Sequence, residues 1–440
     1  MTNNERVVVV GSGLAGLTAA TLLGRAGRSV VLFEKSRALG GQSRSATHLD
    51  FVLNLGPHAL YRAGRAKAIW REMGLHWQAG RVSTAGGKGV RDGALHPLPA
   101  GTLALLRTGL LPATAKFETM RLLGSLPRVR AATLAGLTVS EWLDQAIQHP
   151  ALRKFVAALI RLATYADAPS KQSAAAAVAQ LQRGIWGGVE YVDGGWETLV
   201  TALSEAAREA GVEIRTGAVV ERVDETLNAS SVILATTPAE AASLLGSTPA
   251  GDWLRRECAA MTPVRAACLD LCLSRLPDPA TRFVLGVDRP LYFSVHSAFA
   301  RLAPAGGALI HAAFYKRDGE THDDAAIERE LLALVDTSAA RLARPLGASA
   351  ISAKHDRVAS LARRLRDPMR SAGGERNLSG RRVGRRRRDA GRRRRCERAS
   401  SRGRDTENSE CTHLRSLTKS KPSAIYSSAI DRDCSASPTA

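Results

Sequence analysis

Residues 6–34 read RVVVVGSGLAGLTAATLLGRAGRSVVLFE. Val7 to Val10 is an unbroken β-branched run, the pattern of a strand covered on both faces. It leads into Gly11-Ser12-Gly13-Leu14-Ala15-Gly16, a G-x-G-x-x-G. A helical stretch follows to about Ala26, with Gly27 where a left-handed C-terminal cap belongs. Ser29 to Phe33 reads as a second apolar strand, ended by Glu34. Each part has a physical task in holding a dinucleotide. Gly11 permits the tight turn, Gly13 lets a pyrophosphate approach the backbone, and Gly16 lets the helix pack close to the strand. The helix start offers free N–H groups and the positive end of its dipole. Glu34 lies 18 residues after Gly16, where an acid accepts hydrogen bonds from an adenosine ribose.

The chain has 440 residues, enough for two domains or one two-lobed one, and 45% of them are hydrophobic, as in a globular protein with ample core. The first strand starts almost at the N-terminus, so no signal peptide is expected. No apolar run reaches the roughly 20 residues of a membrane span. Leu103 to Leu111 is apolar but interrupted by Arg107. The six cysteines form no C-x-x-C, and Cys268 and Cys272 read as small core residues, so no metal site is expected. A cytoplasmic location follows by default.

Lys35-Ser36-Arg37-Ala38-Leu39-Gly40-Gly41-Gln42-Ser43-Arg44 comes next. A glycine doublet directly after the ribose acid is not needed by a nicotinamide site; it suits a chain folding back along a larger dinucleotide. Asn54-Leu55-Gly56-Pro57-His58-Ala59 is another tight turn. On these motifs the first 62 residues resemble the FAD-binding N-terminus of the flavin amine oxidase, protoporphyrinogen oxidase and phytoene desaturase superfamily. The resemblance implies an α/β fold: a discontinuous Rossmann-type FAD domain with a helix-plus-sheet substrate domain. It puts Gly11 to Gly16 on the pyrophosphate and Glu34, with Lys35 beside it, at the ribose. It puts Gly40, Gly41 and the residues after them beside the phosphates and flavin, and the Gly56-Pro57-His58-Ala59 turn near the isoalloxazine. The superfamily often has Arg directly after the doublet; here that position is Gln42, with Arg44 two residues on as the substitute.

Residues 63–190 are mostly helical in pattern, the expected helical part of the substrate domain. Thr138-Val139-Ser140-Glu141 is a capping box, Ala151 to Ala163 has helical spacing, and Ser173 to Leu181 is alanine-rich. His48, His58, His76, His96 and His149 are isolated, and no catalytic group stands out. After Asp193-Gly194-Gly195-Trp196, residues 191–250 resemble the superfamily's second contribution to the FAD domain: a helix from about Glu197 to Ala210, short strands at Val212 to Ile214 and Ala218 to Val223, and a strand at Val232 to Leu234 running through Ala235 into Pro238. The resemblance puts the Val220 backbone against the adenine. In residues 251–335, Ala266 to Leu273, Leu291 to His296 and Leu309 to Tyr315 read as strands flooring a substrate pocket, and Ile327 to Val335 as a helix.

From about Asp336 the apolar periodicity fades. Residues 360–440 hold 22 Lys and Arg against 9 Asp and Glu, much of the net charge of +21, and Arg381 to Arg398 contains two runs of four arginines. Taken directly, this is a disordered basic tail fit for nucleic acid. A frameshift reads it better. One base forward, the stretch from Leu378 through Val383 to Gly384 can encode a run Leu-Ala-Gly-Glu-Trp-Val, similar to the superfamily's A-G-D-W strand, which completes its pyrophosphate and flavin site. Residues 336–440 are then out of frame, and no nucleic-acid partner is expected. A coding sequence that forbids these codons ends this reading.

The resulting expectation is an FAD-dependent oxidoreductase taking hydride from a small or hydrophobic organic substrate, desaturase-like or protoporphyrinogen-oxidase-like, with peripheral membrane contact. The alternatives are a flavin amine oxidase, for which 5% aromatic content is sparse, or a non-catalytic protein with a nucleic-acid-binding tail.

Overall fold

A computed structural model describes residues 6–321, 323–338, 350–353 and 357–359. The arginine-rich stretch lies outside the described residues. Two sheets organise the rest.

The first is parallel, in the order Glu213–Thr216, Val30–Glu34, Val7–Val10, Ser231–Leu234. Val7 to Val10 is central, so both edges of the strand are paired and all four valines are buried. Each such side chain contributes about 1.5–3 kcal/mol by leaving water. Helix Leu14–Arg25 packs back on the sheet through Leu17 and Ala20, and helix Glu197–Glu209 packs on it in turn through Leu199, Val200 and Leu203. Pieces nearly 200 residues apart in the chain thus build one layer.

The second sheet is larger and mostly antiparallel. Its path runs Ala350–Ala353, Thr262–Leu273, Ala308–Lys316, Leu291–Val295, Phe283–Gly286, Lys88–Arg91, Ala94–Pro97, and Arg357–Ala359 also pairs with Thr262–Leu273. One face packs on helix Asp324–Ser338 through Ile327, Leu331 and Val335. The other packs on helices Val139–Ala146, Pro150–Thr164 and Ala174–Gln182. The capping box is formed as read: Thr138 Oγ1 accepts from the Glu141 N–H at 3.2 Å, and the Glu141 carboxylate accepts from the Thr138 N–H at 2.8 Å.

Three local readings are corrected. Ala218 to Val223 is not a strand. Gly217, at φ +66°, turns the chain away, and the segment then hangs from single bonds, Ala218 N–H to Glu34 O and Val223 N–H to Leu244 O. The span read as mostly helical also contains the hairpin Lys88–Arg91 and Ala94–Pro97, which extends the large sheet. Its turn is Asp92-Gly93, both at positive φ, the usual chemistry of a two-residue hairpin. Helix Asp324–Ser338 outlasts the fading periodicity, and Ala350–Ala353 and Arg357–Ala359 follow it as strands.

Candidate functional site

At the carboxyl ends of Val7–Val10 and Val30–Glu34 lies a cleft of about 790 Å³, where open parallel sheets hold their ligands. Its wall includes Gly11, Gly13, Leu14, Ala15, Glu34, Lys35, Gly40, Gly41, Gln42, His58, Val220 and Ala235. Sequence-marked residues from four separate stretches therefore meet in one place. Gly16, Arg44, Gly56, Pro57 and Ala59 do not line it.

The three motif glycines differ in what a side chain would meet. Gly11 sits at φ +102°, and a Cβ there would lie 2.5 Å from the Ala235 carbonyl oxygen. A Cβ on Gly16 would lie 1.9 Å from the Gly11 oxygen, so this residue fixes how closely helix and strand approach. Gly13 is the reverse: a Cβ there meets nothing within 4 Å and would project into open space. Gly13 is also the N-cap of helix Leu14–Arg25, and no side chain caps that end. Unclaimed N–H groups beside open space form an anion site.

Glu34 is buried and already engaged. Its Oε2 accepts from the Ser12 N–H at 2.9 Å and the Ser12 hydroxyl at 2.6 Å, and its Oε1 accepts from the Ser36 N–H at 2.8 Å. A carboxylate has about four acceptor positions, so one remains for a ribose hydroxyl. Lys35 forms an ion pair with Glu240 across the cleft mouth. Burial pushes the Glu240 carboxyl up, but hydrogen bonds from Lys35 and Thr236 outweigh it, and Glu240 titrates below the usual range.

The Gly40-Gly41 turn needs positive φ at both residues, +100° and +54°. The Gly40 N–H donates to the Ser12 carbonyl at 3.0 Å, and the Cβ position of Gly41 lies 3.7 Å from Gly13 Cα. The doublet thus lies against the motif turn and extends the cleft toward His58. The His58 ring nitrogens lie against the carbonyls of Gly56 and Gln42, at 2.8 and 3.1 Å, and its ring meets Trp196 at 4.7 Å between centroids. Gly56, at φ +106°, acts on the cleft through His58. Arg44 follows the doublet's short 3-10 turn at residues 41–43, and its side chain lies 3.2 Å from the Cβ position of Gly40.

Sequence reasoning missed a second group of residues. Asp270, Ser294, His296 and His311 stand on or beside three neighbouring strands of the large sheet, and the register aligns Asp270 with His311 and His311 with Ser294. All are buried. His311 Nδ1 meets Asp270 Oδ1 at 2.6 Å. His296 stacks on His311 at 5.0 Å and on Tyr191 at 4.3 Å. The Tyr191 and Tyr292 hydroxyls are 2.9 Å apart, with His296 Nε2 3.5 Å from the latter. Burial pulls the His311 imidazole down, but the charge and hydrogen bond of Asp270 push it up to about 10. Burial, and then the neighbouring imidazoles, hold His296 well below its ordinary value. None of the residues of this group lines the cleft. The signal in the sequence is a polar residue inside each apolar run: Asp270 in CLDLC, Ser294 and His296 in YFSVH, and His311 in LIHAA.

Residues 9–73 match the family model described as an NAD(P)-binding Rossmann-like domain. Among curated relatives, the L-amino-acid oxidase of Crotalus adamanteus is 47% identical over 58 residues, 13% of this chain and 11% of that protein. The 4,4'-diaponeurosporene oxygenase of Staphylococcus aureus is 24% identical over 254 residues, 50% of each chain. The chain thus matches half or less of these relatives' length. A putative protoporphyrinogen oxidase from Exiguobacterium superposes with a TM-score of 0.59 at 18% identity, over 80% of this chain and 87% of that one. Residues 9–73 thus match an NAD(P)-binding Rossmann-like domain, and the chain shares the fold of the solved protoporphyrinogen oxidase.

Proposed function

We propose that the cleft binds FAD and that the chain is an FAD-dependent oxidoreductase acting on a small or hydrophobic organic substrate. One observation carries the choice of FAD over a nicotinamide dinucleotide. The Gly40-Gly41 turn lies against the Gly11–Gly16 turn and prolongs the cleft past the pyrophosphate position toward His58. The residues present fit the group: open space at Gly13, an uncapped helix start, and one free acceptor position on Glu34.

When bound, the flavin would accept the hydride, so no side-chain nucleophile is required. The chain's own tasks are then binding and orientation. The helix start and the glycine backbones hold the phosphates. Glu34 takes a ribose hydroxyl, and Ser12 fixes its carboxylate. His58, fixed between two carbonyls, borders the inner end.

A second reading, an amine oxidase, is favoured by the Asp270–His311–His296 group. An amine can exchange hydrogen bonds with buried polar side chains, whereas a hydrocarbon substrate offers them no partner. The test is the visible spectrum of the purified full chain, before and after anaerobic addition of amines, a porphyrinogen and a carotene. A flavin spectrum bleached by one class supports the reading and selects the substrate. Protein that shows no flavin spectrum and takes up no added FAD contradicts it.

A further inference from the structure

An ion pair crosses the mouth of the cleft. Lys35 directly follows strand Val30–Glu34, and Glu240 stands in the first turn of helix Pro238–Leu245, just after strand Ser231–Leu234. These two strands flank Val7–Val10 on opposite sides. Neighbouring strands lie about 4.8 Å apart, so the two rims stand about 10 Å apart. The Lys35 ammonium therefore reaches the Glu240 carboxylate past the end of the middle strand, and both residues line the cleft.

The two partners are held differently. Glu240 is a fixed post. Its Oε2 accepts from the Thr236 hydroxyl at 2.9 Å, its own N–H donates to the Thr237 hydroxyl at 3.3 Å, and a helix start favours an acid. Lys35 is a long flexible arm on the outside, its side chain 66% exposed. The same rims are joined a second time by the segment 218–223. Its Ala218 N–H donates to the Glu34 carbonyl at 3.0 Å, and its Val223 N–H donates to the Leu244 carbonyl at 2.9 Å. That strap is covalent chain; the ion pair can part. An exposed ion pair adds little to stability, but one that bridges a binding cleft controls passage.

We propose that Lys35 and Glu240 form a clasp on the cleft, parting to admit the dinucleotide and rejoining behind it. The proposal rests on the reading of the cleft as an FAD site. A clasp slows entry and exit alike and leaves affinity nearly unchanged. A residue that merely touches the ligand changes exit, and a steering charge changes entry. Lys35→Met removes a positive charge and Glu240→Gln a negative one, so steering of an anionic ligand would drive the two variants apart, whereas loss of a clasp drives them the same way.

The experiment is stopped-flow mixing of FAD with the full chain, read by flavin fluorescence, with release followed from the loaded chain. Lys35→Met and Glu240→Gln should each raise both the association and the dissociation rate constant roughly threefold to fivefold, the range open to an exposed ion pair, and change Kd by less than about twofold. Thermal midpoints should be unchanged. The double variant should be no faster than either single one, because the pair is one device. Faster association in Glu240→Gln with slower association in Lys35→Met would mean steering. Faster release at unchanged association would mean a simple contact. Additive rates in the double variant would make the two residues independent, and unchanged rates would leave the pair a surface feature. Each of these outcomes overturns the clasp and leaves the FAD reading standing. A parent chain that takes up no FAD overturns both.

Discussion

The dinucleotide cleft and the buried Asp270–His311–His296 group are built by opposite means. The cleft is made mainly of backbone, with the Glu34 carboxylate fixed by Ser12 and Ser36 donors. Its determinants are absent side chains at Gly11, Gly13 and Gly16, positive φ at Gly40 and Gly41, and an uncapped helix end. The buried group is made of side chains held by strand register: His311 faces Asp270 only because residues 262–273 and 308–316 pair as they do. A backbone site tolerates any side chain that stays out of the way. A register site fails if one member is lost, because its neighbours remain buried and unpaired.

The largest expected effect follows from this. His311→Gln or Asp270→Asn leaves half of a buried ion pair and should cost about 3–5 kcal/mol in denaturant unfolding. The pH dependence sharpens the point. The folded His311 pKa of about 10 lies above the ordinary 6.5, so its contribution is complete below about 6.5 and is lost as pH rises toward 10. His296 has the opposite sign: held neutral in the fold, its contribution is lost as pH falls below 6.5. Stability measured against pH should therefore decline on both sides, and His311→Gln should flatten the alkaline limb. An unchanged alkaline limb in that variant would dissolve the contrast between the two regions.

Within the cleft the effects are smaller and split by glycine. Gly16→Ala forces a methyl to 1.9 Å from the Gly11 oxygen and should cost about 1–3 kcal/mol. Glu34→Ala leaves three donors, on Ser12 and Ser36, without their acceptor and should also cost about 1–3 kcal/mol, read by thermal unfolding. Lys35→Ala removes an exposed ion pair and should change stability by less than about 1 kcal/mol. If Lys35→Ala proved as damaging as Gly16→Ala, the cleft would be held by side chains after all.

The same contrast explains what was legible in the sequence. Gly11 to Glu34 is local: turn, helix and both strands follow one another, so motif and hydrophobic pattern read directly. The Gly40-Gly41 and Gly56-Pro57 turns were legible for the same reason. The Asp270–His311 pair was not, since 41 residues separate its members and register is written in no short motif. Ala218 to Val223 misled because its apolar alternation suits a strand, while Gly217 and the absence of a paired edge keep it as a loop. The hairpin at Lys88 to Pro97 was hidden in a helical stretch, although Asp92-Gly93 marked its turn.

The most direct test of the account is FAD binding by Gly13→Ala set beside the parent chain. A methyl at residue 13 touches no protein atom within 4 Å and projects into open space. The account predicts saturable FAD binding by the parent, seen as quenching of flavin fluorescence, and at least tenfold weaker binding by Gly13→Ala at an unchanged thermal midpoint. Equal binding by the two chains, or a parent that binds NADPH and ignores FAD, would contradict it.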